Sequence, residues 1–201
     1  MTRLTLRAFT KTILCPIMLL GVCLLVMSDA AEGACNTYNS QFDDYHHHDG
    51  SSGNDHCEGN ADASYPHPED FFMAGGSDYV HGHNLFDNIR MGEGADEAHG
   101  GTGGDDLHMR DLGDFAVGGE DDDRLYGGWG NDKLKGKENG DLIEDTSSNS
   151  VYEKDVLCGG TGNDHLNSRD GDDQDNLYYD PGQDSFSLDQ GDSLISAADC
   201  Q

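Results

Sequence analysis

The sequence predicts an all-β chain wound as a solenoid of nine-residue units, and three observations predict it. Residues 127–135 read Gly-Gly-Trp-Gly-Asn-Asp-Lys-Leu-Lys, a glycine-rich turn and an Asp followed by a strand triplet centred on an apolar residue. Stepping from Asp132 in nines meets Asp78, Asp87, Asp96, Asp105, Asp114, Asp123 and Asp141, so eight units follow without a slip over residues 73–144. Two residues beyond each Asp stands Val80, Ile89, Ala98, Leu107, Ala116, Leu125, Leu134 or Ile143, never a polar residue. Self-similarity at a fixed short period marks a solenoid. Strand alternation then sends the central residue of each triplet inward and its two neighbours outward.

Taken in order, the chain begins with a segment that reads as a secretory leader. Arg3, Arg7 and Lys11 precede an apolar run over residues 13–26, and Ser28, Asp29 and Ala30 offer small residues for cleavage near residue 30. The run is short for a membrane span, which takes about 20 residues, so no span is expected once the leader is removed. Residues 31–72 form a polar lead-in and N-terminal cap. Within it residues 50–58 fit the unit out of phase, with Cys57 in the apolar slot. His46, His47 and His48 stand together there, a candidate transition-metal site beside the plainer reading of a solvated His run. The roll proper covers residues 73–167, with a Ser/Asn-rich break at 145–149. The period resumes with Asp155 and Leu157 and with a full unit at 159–167 carrying Asp164. Residues 168–201 keep the Asp-x-apolar pairs Asp175/Leu177, Asp184/Phe186 and Asp192/Leu194 while the glycines fade, which reads as degenerate repeats and a C-terminal cap. Open stacks need such caps. Cys35, Cys57, Cys158 and Cys200 remain after the leader; by proximity Cys35–Cys57 and Cys158–Cys200 would staple the two ends, one of three connectivities.

Composition alone would suggest disorder, with 28 glycines, 34% hydrophobic residues and a formal charge of −29 in 201 residues. The acids, however, gather at one phase of the repeat, where a cation would neutralise them. The expected behaviour is a chain unfolded without metal and folded with it. Nucleic acid is excluded as a partner, because its phosphates would be repelled.

In each unit the first six residues make a turn, and glycine serves where the backbone takes positive φ or approaches an ion closely. Two units make a coil of 18 residues, so unit n stacks on unit n+2. Carbonyls and one carboxylate from each of two stacked turns then offer a flexible cage of hard oxygens. That set suits Ca²⁺ over Mg²⁺, and the absence of thiolate and imidazole from the turn argues against zinc there. The metal-binding residues are accordingly Asp78, Asp96, Asp105, Asp114, Asp123, Asp132, Asp141 and Asp164, with the turn glycines Gly76, Gly92, Gly94, Gly101, Gly103, Gly119, Gly128, Gly130, Gly160 and Gly162. The best cages pair Asp78 with Asp96, Asp105 with Asp123, and Asp123 with Asp141; Asp114 with Asp132 is weaker. Leu85 and Leu112 replace a turn glycine and predict poor cages. With one core residue in nine, apolar burial falls short of the cost of ordering the rest, and calcium must supply much of the difference.

On these residues the array resembles the repeats-in-toxin family, the hemolysin-type calcium-binding repeats, over residues 73–167. The resemblance implies a right-handed parallel β-roll, a β-solenoid of nonapeptide repeats with Ca²⁺ between its turns, here closed by irregular, disulfide-stapled caps. In that family the array is commonly an appendage of a toxin or secreted enzyme. This chain has no room for a catalytic domain and carries no Ser/His/Asp, Cys/His, Walker-type or Rossmann signature, so no catalytic residue is expected.

Outward positions form ladders of their own. His81, His99, Val117 and Lys135 line one sheet, and Arg90, His108, Tyr126 and Glu144 the other, with Asp106 set to pair with Arg124. His81 beside His99 offers a zinc or acid–base pair; solvated strand residues are the plainer reading. The function expected is that of a secreted, extracellular calcium-binding roll in a structural or adhesive role, with a polysaccharide or protein partner. The alternatives are a non-catalytic accessory module of a secreted hydrolase or alginate-type epimerase, and a metal-ion buffer that also uses the His-rich lead-in.

Overall fold

The computed structural model describes residues 35–39, 46–61, 67–146, 153–171, 174–180 and 183–196, and among them every regular element is a β-strand. The expected leader (residues 1–30), Cys15, Cys23, Cys200 and most of the 145–149 break lie outside the described residues. No helix among the described residues is long and apolar enough to cross a membrane.

The strands form two sheets that the chain visits alternately. One runs, in hydrogen-bonded order, Asn36–Asn39, His46–Asp49, Glu69–Phe72, Asp87–Arg90, Asp106–Asp111, Arg124–Trp129, Leu142–Glu144, His165–Asn167 and Ser185–Ser187. The other runs His56–Glu58, Tyr79–Asn84, Glu97–Thr102, Phe115–Glu120, Lys133–Glu138, Val156–Thr161, Asn176–Tyr179 and Ser193–Ser196. Neighbours are parallel throughout, except that Asn36–Asn39 lies antiparallel on His46–Asp49 and closes that end of the first sheet. This is the expected parallel β-roll. Its register steps by 18 residues in the tandem region, as in Leu107↔Leu125 and Ala98↔Ala116.

The core is two facing rows of inward residues, joined by the buried Met73, Met91 and Met109. Phe71, Ile89, Leu107, Leu125, Ile143 and Leu166 come from the first sheet; Cys57, Val80, Ala98, Ala116, Leu134, Leu157 and Leu177 from the second, and all are fully or almost fully buried. The periodic residues thus fall where alternation requires. Cys57 in the apolar slot pairs in register with Val80 and is bridged to Cys35, with the two Cα atoms 5.5 Å apart. Cys158 is also disulfide-bonded.

The solenoid extends beyond the uninterrupted period at both ends. His46–Asp49 and Glu69–Phe72 make a coil with His56–Glu58, so part of the polar lead-in belongs to the stack. Toward the C-terminus Leu166↔Phe186 and Leu177↔Leu194 keep register, although Phe186 and Leu194 are exposed at the open end. Extra residues are absorbed in the turns between strands, which leaves pairing intact. Two of the lead-in histidines reach one carboxylate oxygen: His46 Nδ1 and His48 Nε2 stand 3.8 and 3.1 Å from Glu69 Oε1. Strand alternation buries His48, which stacks on Phe71 at 4.5 Å and meets Glu69 at 3.1 Å, while His47 sits beside Asp70 at 3.4 Å. A strand places three successive rings on two faces, so His47 stands apart from the His46–His48 pair.

Candidate metal centre

The phased aspartates stand at the two edges of the roll and build two ladders. In each, the backbone N–H of one Asp donates to Oδ1 of the Asp one coil on. Asp55, Asp78, Asp96, Asp114, Asp132, Asp155 and Asp175 are linked this way on one edge, at 2.7–2.8 Å. Glu69, Asp87, Asp105, Asp123, Asp141 and Asp164 are linked on the other, at 2.7–3.0 Å. A carboxylate accepting from a backbone N–H at this distance makes a strong, charge-assisted bond. It also fixes which coil lies over which, because the donor and acceptor belong to successive turns.

Most of these carboxylates use only one oxygen; Asp96 Oδ2 accepts in addition from the Gly92 N–H at 3.5 Å, and Asp55 Oδ2 from Ser51. Oδ2 of Asp78, Asp87, Asp105, Asp114, Asp123, Asp132, Asp141 and Asp164 is buried without a hydrogen-bond partner. Burial without a partner favours the neutral acid. Burial pushes Asp105 up to about 9 against the opposing bond from Asp87, and raises Asp87, Asp114 and Asp141 to about 8. Asp123 rises to about 7 and Asp78 and Asp164 to about 6 for the same reason. Strands about 4.8 Å apart would set ionised neighbours in a ladder to repel by about 3 kcal/mol at an effective dielectric near 20. At neutral pH the ladders therefore need protons or cations.

The glycines show where a cation fits. On the edge of Asp87, Asp105, Asp123, Asp141 and Asp164, the first residue of each unit is Gly82, Gly100, Gly118, Gly136 or Gly159. A Cβ on any of these would run into Oδ2 of its own unit's Asp. On Gly82, Gly100 and Gly136 it would also meet the carbonyl oxygen of the glycine one coil on, at 2.6–2.9 Å. A carboxylate oxygen and a carbonyl oxygen from successive coils thus converge over a bare Cα. These are hard ligands with an unmet charge, and the site fits Ca²⁺.

Turn shape follows the predicted glycines. Gly76, Gly94, Gly101, Gly103, Gly119, Gly128, Gly130, Gly160 and Gly162 all have φ between 113° and 156°. Gly92 keeps ordinary φ, and there a Cβ would instead strike the Ala74 carbonyl. Units lacking a turn glycine keep the shape at a cost. Leu85, Leu112, Asp121 and Asn139 take φ of 72–79° at the fourth position, and His83, Arg110 and Lys137 take 81–103° at the second. The unit around Leu85 therefore keeps its ladder place, and Asp87 joins the aspartates that offer an unpaired oxygen.

Two further residues join from outside the expected set. Asp155 continues the ladder across the break. Asp145 has no place in the six-residue turn signature, yet it is buried, with both carboxylate oxygens shut off from solvent. Asp132, Asp145 and Asp155 place carboxylate oxygens within 4.8 Å of one another, as do Asp155, Asp170 and Asp175. Burial, then the charges of Asp155 and Asp132, push the Asp145 carboxyl far up. The slot itself explains the burial. At steps of 18 residues it holds Met73, Met91, Met109, Gly127 and then Asp145, a column two residues beyond the inward row of the first sheet. The signal was present in the sequence as one more step of the period, 127 to 145, which the nine-residue unit conceals. The two turns of a coil therefore differ: one edge has glycine throughout this position, the other has three methionines, then Gly127 and an acid.

Fold and ladders together define a class, a two-sheet β-roll whose turns carry buried acidic oxygens compatible with Ca²⁺ binding. No known protein family, curated protein or solved structure matches the chain.

Proposed function

We propose that this chain is an exported β-roll that binds several Ca²⁺ ions in its turns and folds on binding them. The observation that carries the reading is the buried, unpaired Oδ2 of most ladder aspartates, which on the edge of Asp87 lies over a bare glycine and, at Gly82, Gly100 and Gly136, beside the next coil's carbonyl. The resemblance of residues 73–167 to hemolysin-type calcium-binding repeats supports it. When bound, Ca²⁺ supplies the positive charge that the ladders lack. The chain's own part is to aim oxygens from successive coils at one point, to hold register through Oδ1, and to leave two long outer faces free for contact. A structural or adhesive role outside the cytoplasm follows from a fold that forms only on reaching a calcium-rich medium. The test is a Ca²⁺ titration of residues 31–201 followed by far-UV CD and calorimetry. A cooperative coil-to-β transition with several ions per chain is expected at about 10⁻⁴–10⁻³ M, the range of extracellular modules. A β-spectrum already present in EDTA at neutral pH, or no transition at several millimolar, would refute it.

A further inference from the structure

We infer that Glu58, His81 and His83 form a second kind of metal site, one for a first-row transition ion such as Zn²⁺, on the outer face of the second sheet. Their ligand atoms lie within 4.8 Å of one another. Glu58 Oε2 stands 2.8 Å from His83 Nε2 and 3.6 Å from His81 Nδ1, and the two rings are 3.8 Å apart between centroids. Two imidazole nitrogens and one carboxylate oxygen are a borderline donor set that suits zinc and not calcium. The fourth position of a tetrahedral ion is left to water. His56 Nε2, 2.8 Å from the other oxygen of Glu58, orients the carboxylate from behind.

The backbone argues that the cluster is built. Glu58 and His81 are direct partners in the parallel ladder, and His83 follows His81 on the same strand. His83 occupies the second position of its unit, where the matching residue one coil on is Gly101. It takes φ +81°, a conformation that suits the glycines at Gly101, Gly119, Gly128 and Gly160. A side chain there costs of order 1–3 kcal/mol, and this one delivers an imidazole beside His81 and onto Glu58. The sequence pattern pointed to His81 with His99. Their centroids are 5.9 Å apart, and His99 turns to Glu97 at 2.8 Å, so the partner that converges is His83.

Such an ion would act as a clamp. Cys57 holds the strand His56–Glu58 from inside through its disulfide to Cys35, and Glu58 would hold it from outside to Tyr79–Asn84. The N-terminal coil, offset from the array by a longer loop, would be fastened on both faces. The experiment is calorimetric titration of the full chain with Zn²⁺ in excess Ca²⁺, with CD recorded on each sample. The wild type should bind one Zn²⁺ at a discrete site, and Co²⁺ at that site should give d–d bands of a low-coordinate centre. His83→Gly should weaken Zn²⁺ binding by about 100-fold or more while keeping the CD spectrum, since it restores the residue the turn favours. Glu58→Gln should weaken binding with the rings still in place. Zn²⁺ binding of wild-type strength in His83→Gly, or no binding by the wild type at large molar excess, would overturn the assignment. Neither result bears on the calcium ladders, which hold none of these residues.

Discussion

Replacing Asp105 by Asn separates the two jobs of a ladder carboxylate. Asp105 is buried; its Oδ1 accepts from the Asp87 N–H at 2.8 Å and its Oδ2 has no partner. Asn keeps the Oδ1 acceptor, and with it the register bond, but exchanges the charged oxygen for a neutral amide. Without cation at pH 7, the folded carboxyl titrates at about 9 against an ordinary 3.8. Folding then obliges the residue to take up a proton, at a cost of about 4 kcal/mol. Asn escapes that cost and pays instead for an unsatisfied amide, about 1–3 kcal/mol. Asp105→Asn should therefore stabilise the metal-free chain by about 1–3 kcal/mol. In calcium the sign reverses: a ligand charge is gone, fewer ions bind, and the calcium midpoint should rise about tenfold, equivalent to 1.4 kcal/mol. The assay is urea unfolding by CD at pH 7 in EDTA and in saturating Ca²⁺, with sucrose added to both where the metal-free fold needs support. A change of the same sign in both buffers, or an unaltered calcium stoichiometry and midpoint, would refute a cation role for Oδ2.

Four more expectations follow from the same geometry. Asp87, Asp114 and Asp141 titrate at about 8 in the fold, above their unfolded value, so their contribution to stability is full below about pH 4 and is lost as pH rises through 8; in EDTA, β-structure monitored by CD should grow on acidification, and growth with rising pH would contradict the ladder. Gly118→Ala sets a Cβ against the Asp123 carboxylate, and a loss of about 1–3 kcal/mol with weaker calcium binding should appear in thermal unfolding and calorimetry. Leu112 holds φ +74° while 60% exposed, so Leu112→Gly should stabilise the calcium-loaded chain by about 0.5–1 kcal/mol in urea, the relieved strain being partly offset by the freer unfolded chain. Asp145→Met puts into the column the residue it carries three times before; it should stabilise the metal-free chain by about 2 kcal/mol or more and remove an ion from the stoichiometry measured by calorimetry.

The fold and most of the site could be read from the chain because one short period controls both. The step that places Leu107 under Leu125 also places Asp105 under Asp123, so finding the phase located core rows and ladder together. Asp175 and Asp192 kept their ladder places although the glycines around them had faded, since strand pairing tolerates longer or shorter turns. What escaped has a common cause: it depends on the 18-residue coil, not the nine-residue unit. Asp145 becomes visible only in the column of Met73, Met91 and Met109. Leu85 looked disabling because its unit lacks a turn glycine, but neighbouring coils impose the turn and Leu85 accepts the strain. The meeting of Glu58 with His83 spans a loop whose length breaks the phase, so no periodic count brings them together.

The division of labour within each carboxylate explains why such an acidic chain can specify one structure without being stable by itself. Oδ1 binds the backbone whether the group is ionised or protonated, since a neutral acid retains an acceptor. Register is thus encoded in a bond that survives a change of charge. Oδ2 responds to the medium, because only a proton or a cation makes its burial tolerable. Either agent should produce the same stacked coils, and the two should compete: Ca²⁺ binding should release protons, and calcium affinity should rise with pH through the range in which Asp123, Asp87 and Asp105 titrate, about 7 to 9. Calorimetry in two buffers of different ionisation enthalpy measures that release. If the ladders were ionised before the ion arrived, the buffer would make no difference, and the apolar rows alone would have to account for the stability of the metal-free roll.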